Sequence, residues 1–418
     1  MTNSNHESRR AVITGIGATT PLGSNVEVFW EDLLAGRSGI RRIQSFDASD
    51  LPCQIAGEIP DFVPTDYIPA KEARRMSRSS QIALASVQMA VQDAGLEVPM
   101  ADPERVAVGV GTAVGGLERS IEGGRAYREE GPSKVNPFTI PSSIANMSAF
   151  HIAEKYGAVG PNTCIVTACA TGTQVVGEAA QTIRNGRADI VLAAGTEGMI
   201  EGFAVAGFAA MRALPTNYNN DPERASRPFD ANREGFVFSE GAAGLVIESL
   251  EHAKNRGAHI YAEIVGHASS SDAYHMFAPD PSGAGAIRTM RWALEDAQIP
   301  SDDVGYINAH GTSTPANDKV ETMAIKNLFG EAAYGIPISS TKSMIGHPMG
   351  ASGAIEAIVC ALTIDRGAIH PTINYETPDP DCDLDYVPNE ARDALVNVAL
   401  SNSFGLGGQN ACLVLKKV

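Results

Sequence analysis

The stretch Cys164–Gln174, CIVTACATGTQ, and the stretch Ile338–Ala354, ISSTKSMIGHPMGASGA, decide the fold of this chain. Each is predicted to form a short apolar strand, a turn of small residues and the start of a helix. Each turn carries one side chain that can react, Cys169 in the first and His347 in the second. If the chain consists of two related halves, equivalent turns meet about a pseudo-twofold axis. We therefore expect Cys169 and His347 to share one central site.

The rest of the sequence supports a duplicated α/β fold. A chain of 418 residues exceeds the roughly 250–300 residues at which a single core stops growing. A buried strand, Ala11–Ile16, opens the chain, and Ile260–Gly266 restarts the same pattern. Short apolar strands alternate with helices in both parts, as buried parallel sheets require. We expect an N-terminal half, residues 10–257, that carries the cysteine, and a C-terminal half, residues 258–418, that carries two candidate histidines.

Hydrophobic periodicity also predicts the bounds of the main elements. The predicted helices are Val26–Ala35, Ser77–Ala94, Gln174–Ile183, Ala284–Ala297, Asp318–Phe329 and Gly350–Asp365. The further predicted strands are Arg105–Val110, Ile165–Thr167, Ile190–Ala194, Val304–Asn308 and Ile336–Ser340.

Composition excludes several classes of function. The net charge of −17 and the pI of about 5.0 argue against nucleic acid or an anionic membrane as the main partner, because both require a basic surface. Residues 1–10 have no apolar core, and no stretch approaches the roughly 18 apolar residues of a membrane helix. We therefore expect a cytoplasmic protein without membrane insertion. The six cysteines form no CxxC pair and His310 and His347 lack zinc-site spacing, so we expect no metal.

Cys169 is the cysteine whose surroundings differ most from those of a packing residue. Small neighbours in Thr167–Gly172 allow a tight turn and close approach of a substrate. A predicted helix follows, and the positive end of a helix dipole lowers a thiol pKa and favours the nucleophilic thiolate. Without further context, nucleophile and buried packing residue both fit.

Two histidines stand in similar settings. His310 follows a predicted strand, where α/β folds commonly place reactive groups, although a structural role also fits. Thr312 and Thr314 bind a polar substrate arm or cap the helix that begins near Asp318. Lys342 precedes His347 in the second turn, and its ammonium would keep the imidazole neutral while Glu356 pairs with the lysine; an ordinary buried ion pair is the alternative.

Glycine-rich and basic segments supply further candidates. Residues 403–410, SFGLGGQN, fit a phosphate cradle, a mobile loop or an oxyanion contributor, but do not match a P-loop. Residues 109–115 miss the dinucleotide fingerprint because the third glycine is one position late. The cluster Lys71, Arg74, Arg75 and Arg78 is predicted to be exposed, either as a solvated helix face or as a docking site for an acidic partner.

Taken together, the motifs resemble one enzyme family. TACATGT at 167–173, NAHGTSTP at 308–315, STKSMIGHPMGASGA at 340–354 and NSFGLGG at 402–408 are similar in order and spacing to the elongating β-ketoacyl-acyl-carrier-protein synthases, most of all to their synthase II branch. The likeness runs from about Arg10 to Lys417. It implies a thiolase-like fold, with two related halves layered αβαβα, and a homodimer.

The resemblance also implies roles for individual residues. Cys169 would be the nucleophile, His310 and His347 the catalytic histidines, Lys342 with Glu356 their support, and Phe404 the gate over the cysteine. The backbone N–H groups of Cys169 and Phe404 would bind the oxyanion. The implied substrate contacts are Thr312, Thr314, Phe208, Val114 and Gly405, and the implied carrier-protein contacts are Lys71, Arg74, Arg75, Lys134 and Arg212.

The implied reaction is a decarboxylating condensation of acyl and malonyl groups carried by acyl carrier protein, in fatty-acid elongation. The enzyme would be an acyltransferase that needs no cofactor, because phosphopantetheine arrives on the carrier protein. A standalone polyketide ketosynthase and a non-catalytic chain-length partner subunit are the alternatives, although the latter loses the cysteine. Leu406, Asn317 and Pro348 depart from the family pattern, and Leu406 bears on how the glycine-rich loop gates the site.

Overall fold

The computed structural model describes residues 9–418; residues 1–8, most of the segment in which the sequence predicts no signal, lie outside the described range. The helices are α1 Val26–Leu34, α2 Ala70–Ala73, α3 Arg78–Asp93, α4 Leu117–Glu129, α5 Thr139–Ser143, α6 Met147–Tyr156, α7 Thr171–Arg184, α8 Gly202–Ala210, α9 Leu250–Asn255, α10 Ala284–Ala297, α11 Pro315–Phe329, α12 Lys342–Ile345 and α13 Ser352–Arg366.

The strands alternate with these helices along the chain. They are β1 Ala11–Thr19, β2 Arg41–Arg42, β3 Ile55–Ala56, β4 Val106–Gly111, β5 Asn162–Ile165, β6 Ile190–Glu197, β7 Gly241–Ser249, β8 Ala262–Ser271, β9 Tyr306–Asn308, β10 Ile338–Ser339, β11 Ala368–Ile369, β12 Arg392–Asp393, β13 Val398–Gly405 and β14 Gln409–Lys416. None of the helices in the described range is long and apolar enough to span a bilayer.

Ten strands form one hydrogen-bonded sheet whose two ends repeat each other. From the centre outwards, one side runs β1, β7, β6, β4, β5 and the other runs β8, β14, β13, β9, β10. On each side the first two pairings are antiparallel and the last two are parallel. The first strand of each half is therefore central, and the last strand lies beside it. This repeat confirms the duplicated α/β fold.

Three layers of helices alternate with the two halves of the sheet, which gives five layers. Helix α3 covers β1, β6 and β7 on one outer face, and α10 covers β8 and β14 on the other. Between the two halves, α7 packs against α13. Every residue of α13 from Ser352 to Ile364 is buried, as expected for a helix enclosed on all sides. The αβαβα layering predicted for the chain is confirmed.

Most predicted elements are present with shifted ends, and one strand is misplaced. The predicted strand Ile165–Thr167 is wrong, because β5 ends at Ile165 and the Thr167 N–H donates to the side chain of Thr171, 2.8 Å away, rather than to a neighbouring strand. Helix α7 consequently begins at Thr171, three residues before its predicted start. The chain is already turning where the cysteine lies.

Candidate active site

Cys169 lies in a tight turn at the start of a central helix. It occupies the 3-10 turn Ala168–Ala170 that leads directly into α7. Ala168 has a φ of 50°, a left-handed conformation that non-glycine residues adopt at a cost. Gly405 lies so close that a Cβ atom there would come 3.0 Å from the Cys169 nitrogen. The end of β13 therefore abuts the backbone of the cysteine.

Two glycines bring the two predicted turns together. Gly172, in the first turn of α7, lies against the backbone of Gly350 and Ala354, and Gly353, in α13, lies against Thr173. A Cβ atom at either glycine would come within 2.5 Å of its neighbours. The N-termini of α7 and α13 thus meet at the centre of the molecule, so the sequence placed Cys169 and His347 at one site correctly.

Cys169, His310 and His347 form one cluster. The Cys169 sulfur and a ring nitrogen of each histidine all lie within 4.8 Å of one another, and the three residues are buried. The two imidazole rings are 5.5 Å apart and nearly perpendicular. The Phe404 ring lies 5.8 Å from that of His310. One small substrate group can therefore contact all three reactive side chains.

Each histidine is held by the backbone or by a neighbour while one ring nitrogen stays unsatisfied. His347 Nδ1 shares a 2.9 Å hydrogen bond with Ser352 Oγ, and the His310 N–H donates to Glu321 at 2.8 Å. Within the described residues, His347 Nε2 and His310 Nδ1 are buried without a hydrogen-bond partner. Buried polar atoms are rarely left unpaired, so both nitrogens suit contact with a polar substrate.

Both histidines are neutral at physiological pH. Burial lowers the pKa of each well below its ordinary value, and the Lys342 ammonium lowers both further. A neutral imidazole carries one N–H donor and one acceptor nitrogen. Each histidine can therefore donate one hydrogen bond to a developing oxyanion.

The cysteine departs from its predicted ionisation. The helix dipole led us to expect a lowered thiol pKa, but burial raises the pKa of Cys169 to about 11. The backbone N–H of Leu406 and the charge of Lys342 oppose this shift without reversing it. Desolvation of a thiolate outweighs the dipole here. The resting Cys169 side chain is consequently a neutral thiol.

Lys342 and Glu356 form a fully buried ion pair behind the histidines. Burial raises the pKa of Glu356, while the neighbouring Lys342 opposes that rise. Neither residue lines the cavity described below. Lys342 therefore influences the histidines through its charge rather than by contacting a substrate.

A cavity of about 400 Å³ opens onto the cluster. Its walls include most of the predicted site residues: Cys169, His310, His347, Phe404, Gly405, Thr312, Thr314, Phe208 and Arg212. Val114 does not line this cavity. It lies in the loop between β4 and α4, where it is 37% exposed in the single chain.

Thr312 and Thr314 do not cap a helix through their side chains. Thr314 precedes α11, but its side chain makes no capping hydrogen bond. The two hydroxyls instead bond to each other at 2.9 Å and line the cavity. Pro315 lacks an N–H at the first helical position, which reduces the need for a cap.

The basic residues separate into three groups. Lys71, Arg74, Arg75 and Lys134 are exposed, and Arg74 and Lys134 border one shallow depression. Arg212 is exposed at the cavity itself. The predicted exposure of Arg78 is wrong, because this half-buried side chain pairs with Glu240 at 2.8 Å.

The expectation that the chain binds no metal was based on the spacing of cysteines and histidines along the sequence, but the fold brings distant residues together. Cys169, His310 and His347 are far apart in sequence, yet their candidate ligand atoms come as close together as those of a metal site. Spacing therefore does not separate a metal centre from a catalytic cluster in this chain.

Sequence reasoning missed three residues that shape the site. Phe236 packs edge-on against His347 with ring centres 5.4 Å apart, and the Met349 sulfur lies 4.0 Å from that of Cys169. Glu321 accepts the backbone N–H groups of His310 and Gly311, both at 2.8 Å. Met349 was visible as a neighbour of His347, but no pattern marked the other two.

Comparison with known proteins gives a consistent result over the whole chain. The sequence model of the beta-ketoacyl synthase N-terminal domain matches residues 8–253, and that of the C-terminal domain matches residues 261–376. The 3-oxoacyl-acyl-carrier-protein synthase 2 of Synechocystis sp. is 48% identical over 99% of both chains.

Solved structures agree with these sequence matches. A type II polyketide ketosynthase, in complex with its acyl-carrier protein and bound to the hexaketide, superposes with a TM-score of 0.90 at 37% identity, covering 99% of this chain and 100% of that one. A beta-ketoacyl synthase from Burkholderia phymatum gives a TM-score of 0.91 at 37% identity, covering 98% and 100%. With both domain models matched in order and the cysteine and histidines gathered in one cavity, this chain belongs to the beta-ketoacyl synthase family.

Proposed function

We propose that this chain condenses acyl-acyl-carrier protein with malonyl-acyl-carrier protein, giving β-ketoacyl-acyl-carrier protein, carbon dioxide and free carrier protein in fatty-acid elongation. The observation that carries the proposal is the cluster of one thiol and two neutral imidazoles within 4.8 Å. The full-length similarity to a 3-oxoacyl-acyl-carrier-protein synthase 2 supports the fatty-acid assignment. The enzyme is accordingly an acyltransferase.

In the first stage, Cys169 takes the acyl group. The Cys169 sulfur gives up its proton and attacks the thioester carbonyl, the bond from that carbonyl to the phosphopantetheine sulfur breaks, and the leaving sulfur takes up a proton and departs as a thiol. The backbone N–H groups of Cys169 and Phe404 stabilise the oxyanion, and one such donor typically contributes about 3 kcal/mol. Gly405 supports this role, because its close approach places the Phe404–Gly405 backbone beside the Cys169 nitrogen. The Phe404 side chain gates access to the thiol.

In the second stage, the two histidines stabilise the carbanion. Loss of carbon dioxide from the malonyl group leaves an enolate, whose oxygen accepts hydrogen bonds from His310 and His347. The carbanion then attacks the acyl thioester on Cys169, and the thiolate leaves. Burial and the charge of Lys342, which Glu356 holds in place, keep both imidazoles neutral. Thr312 and Thr314 bind the phosphopantetheine arm. Phe208 contacts the acyl chain.

No metal or redox cofactor enters these steps. The thiol supplies the nucleophile, the imidazoles supply the donors, and phosphopantetheine arrives covalently attached to the carrier protein. The proposal includes a cytoplasmic location, because the enzyme must meet its carrier protein and we expect both in the cytoplasm.

A panel of acyl-carrier-protein substrates tests the assignment. With malonyl-acyl-carrier protein, straight-chain acyl groups should yield β-ketoacyl products two carbons longer, detected by mass spectrometry. A polyketide ketosynthase is the second candidate, because one such enzyme shares the fold at 37% identity. Products from unusual primers alone would favour it, and no acyl adduct on the protein would favour a non-catalytic partner subunit.

The carrier protein docks on the exposed basic residues Lys71, Arg74, Arg75 and Lys134, with Arg212 at the mouth of the cavity. The depression shared by Arg74 and Lys134 supports this placement. An acidic partner gains from such a patch mainly in its association rate and orientation. The low pI of the chain makes a localised patch necessary for this purpose.

Charge reversal of Arg74 and Arg75 to glutamate should raise KM for acyl-carrier protein about tenfold, because repulsion replaces steering. Turnover of small acyl thioesters should not change. Initial rates over a range of carrier-protein concentrations measure the effect. The double reversal Arg291→Glu with Lys254→Glu, at exposed positions of α10 and α9, changes the net charge equally and is the matched control. An equal increase of KM in that variant would show that net charge, and not the patch, matters.

The chain forms a homodimer through the edge of its sheet. Strand β5 is the outermost strand of its half, so one side of its backbone is free to pair with a second copy. Apolar side chains surround it, with Val166 54% exposed directly after β5 and Phe150 44% exposed on α6, which packs against β5. We propose the boundary between the halves at residues 257 and 258, and the start of β8 at Ala262 supports it.

Val166→Asp should convert the dimer to a monomer, because a carboxylate would be buried without a partner at the interface. Light scattering coupled to size-exclusion chromatography measures the mass. Leu395→Asp is the control, since Leu395 is 90% exposed in a different part of the molecule. A dimer that persists in Val166→Asp would place the interface elsewhere.

A further inference from the structure

A second buried carboxylate lies beside the reactive cysteine without a cationic partner. Glu197 is the last residue of β6 and is fully buried. No arginine, lysine or histidine of the described residues forms a salt bridge with it. Instead it accepts hydrogen bonds from Thr112 Oγ1 at 3.1 Å, from the Ala113 N–H at 2.8 Å and from the Gly350 N–H at 3.2 Å. The mechanism above does not use this group.

Glu197 connects two loops that border the site. Thr112 and Ala113 follow β4, whereas Gly350 belongs to the 3-10 turn Met349–Ala351 just after His347. The contact is close, since a Cβ atom at Gly350 would come 2.5 Å from the Ala113 nitrogen and 2.9 Å from a Glu197 carboxylate oxygen. One carboxylate thus fixes the second of the two central turns to the N-terminal half.

The tethered turn contacts the nucleophile. Met349 has a φ of 38°, which a non-glycine residue adopts only where its surroundings impose it. Its sulfur lies 4.0 Å from Cys169 Sγ. Releasing the Gly350 N–H would allow Met349 to relax, and the wall beside the thiol would move.

We propose that Glu197 is a positioning residue for acylation of Cys169, which holds the Met349–Gly350 turn against the thiol. This inference rests on the proposed function, because acylation is the step that the turn would assist. A displacement of about 1 Å in a reacting group can cost about 100-fold in rate.

The charge of Glu197 supplies a signature that a purely structural residue would lack. Burial raises the pKa of Glu197 to about 7, and its hydrogen bonds oppose the rise. When ionised, Glu197 raises the pKa of the Cys169 thiol, whereas Lys342 lowers it. As pH rises through about 7, the ionising carboxylate therefore opposes formation of the thiolate.

Two substitutions separate the tether from the charge. Glu197→Gln keeps an acceptor for the Ala113 and Gly350 N–H groups and removes the charge, whereas Glu197→Ala removes both. Single-turnover acylation by acyl-carrier protein should slow about 10- to 100-fold in Glu197→Ala, with unchanged KM. It should return to within about threefold of the native rate in Glu197→Gln. Above pH 7, iodoacetamide should alkylate Cys169 about threefold faster in Glu197→Gln than in the native enzyme.

Glu248→Gln is the matched control. Glu248 is fully buried at the opposite end of the β6–β7 pair, so its loss should lower stability without changing either rate per folded molecule. Native rates in folded Glu197→Ala, or native alkylation kinetics in Glu197→Gln, would overturn the proposal. If Glu197→Ala does not fold, Thr112→Val removes one donor to the carboxylate, and a native acylation rate there would overturn it too. Absence of acylation in the native enzyme would instead refute the proposed function. The alkylation experiment would still test the effect of Glu197 on the thiol, because iodoacetamide reacts with Cys169 whether or not the enzyme transfers acyl groups.

Discussion

Replacing Cys169 by alanine should abolish acyl transfer and lower condensation by more than about 1,000-fold, because no other group in the cavity can form the covalent acyl intermediate. Intact-protein mass spectrometry after mixing with acyl-carrier protein should show the acyl adduct on the native chain and none on Cys169→Ala. The folded state should be retained, since the alanine side chain is smaller than that of cysteine and fits in the same space.

The same variant separates the two stages of the reaction. The two histidines do not depend on the thiol for their positions. Ser352 holds the ring of His347, and Glu321 holds the backbone of His310. Decarboxylation of malonyl-acyl-carrier protein should therefore persist in Cys169→Ala, measured by release of carbon dioxide. Loss of that partial reaction would show that the cysteine also takes part in decarboxylation.

Cys164→Ala is the matched control for this experiment. Cys164 is half-buried on β5, and burial raises the pKa of its thiol as well. It lies outside the walls of the cavity, so its removal should leave the adduct unchanged. An adduct that disappears in Cys164→Ala and persists in Cys169→Ala would show that Cys164, and not Cys169, is the nucleophile.

The sequence predicted this site well where local pattern and symmetry agreed. Small residues around Cys169 and His347 marked two equivalent turns, and the duplicated fold necessarily brings such turns together. Neither turn alone distinguished a nucleophile from a packing residue. The contact between Gly172 and Gly353 shows why the glycines are required, since any side chain there would separate the helices that carry the two turns.

Properties that depend on burial were harder to predict. The thiol pKa was expected to fall because the helix dipole is visible in sequence, whereas the extent of desolvation around Cys169 is a property of the assembled core. Arg78 was misplaced for a related reason: local sequence does not reveal whether a basic side chain faces solvent or a buried carboxylate such as Glu240.

Long-range partners of backbone groups were not predictable at all. Glu197 accepts N–H groups from loops 84 and 153 residues away in sequence, whereas Glu321 accepts those of His310 and Gly311, 11 and 10 residues before it. A lone glutamate on a strand or a helix carries no local mark of either role. The ion pair of Lys342 with Glu356 was predicted because an acidic residue lies on the predicted helix that follows the lysine. The fold brings the two side chains together although they lie 14 residues apart on different helices, α12 and α13.

That ion pair should show the second large effect. Glu356→Leu leaves the Lys342 ammonium buried and unpaired, which should lower the free energy of unfolding by about 3–5 kcal/mol. Equilibrium unfolding in urea measures the loss. The double variant Lys342→Met with Glu356→Leu should recover most of that stability, because apolar residues of similar volume can replace a buried ion pair at little cost. A double variant no more stable than Glu356→Leu would contradict this explanation.

The double variant should lose activity on the acidic side of the pH profile, for a reason that lies in the histidines. Lys342 lowers the pKa values of His310 and His347 in addition to burial, so its removal should raise both toward the ordinary value without reaching it. The histidines would then become protonated at a higher pH as the solution is acidified. The acidic limb of the malonyl decarboxylation profile should accordingly move to higher pH in Lys342→Met with Glu356→Leu. An unchanged limb in a stable double variant would show that Lys342 stabilises the fold but does not control the protonation of the histidines.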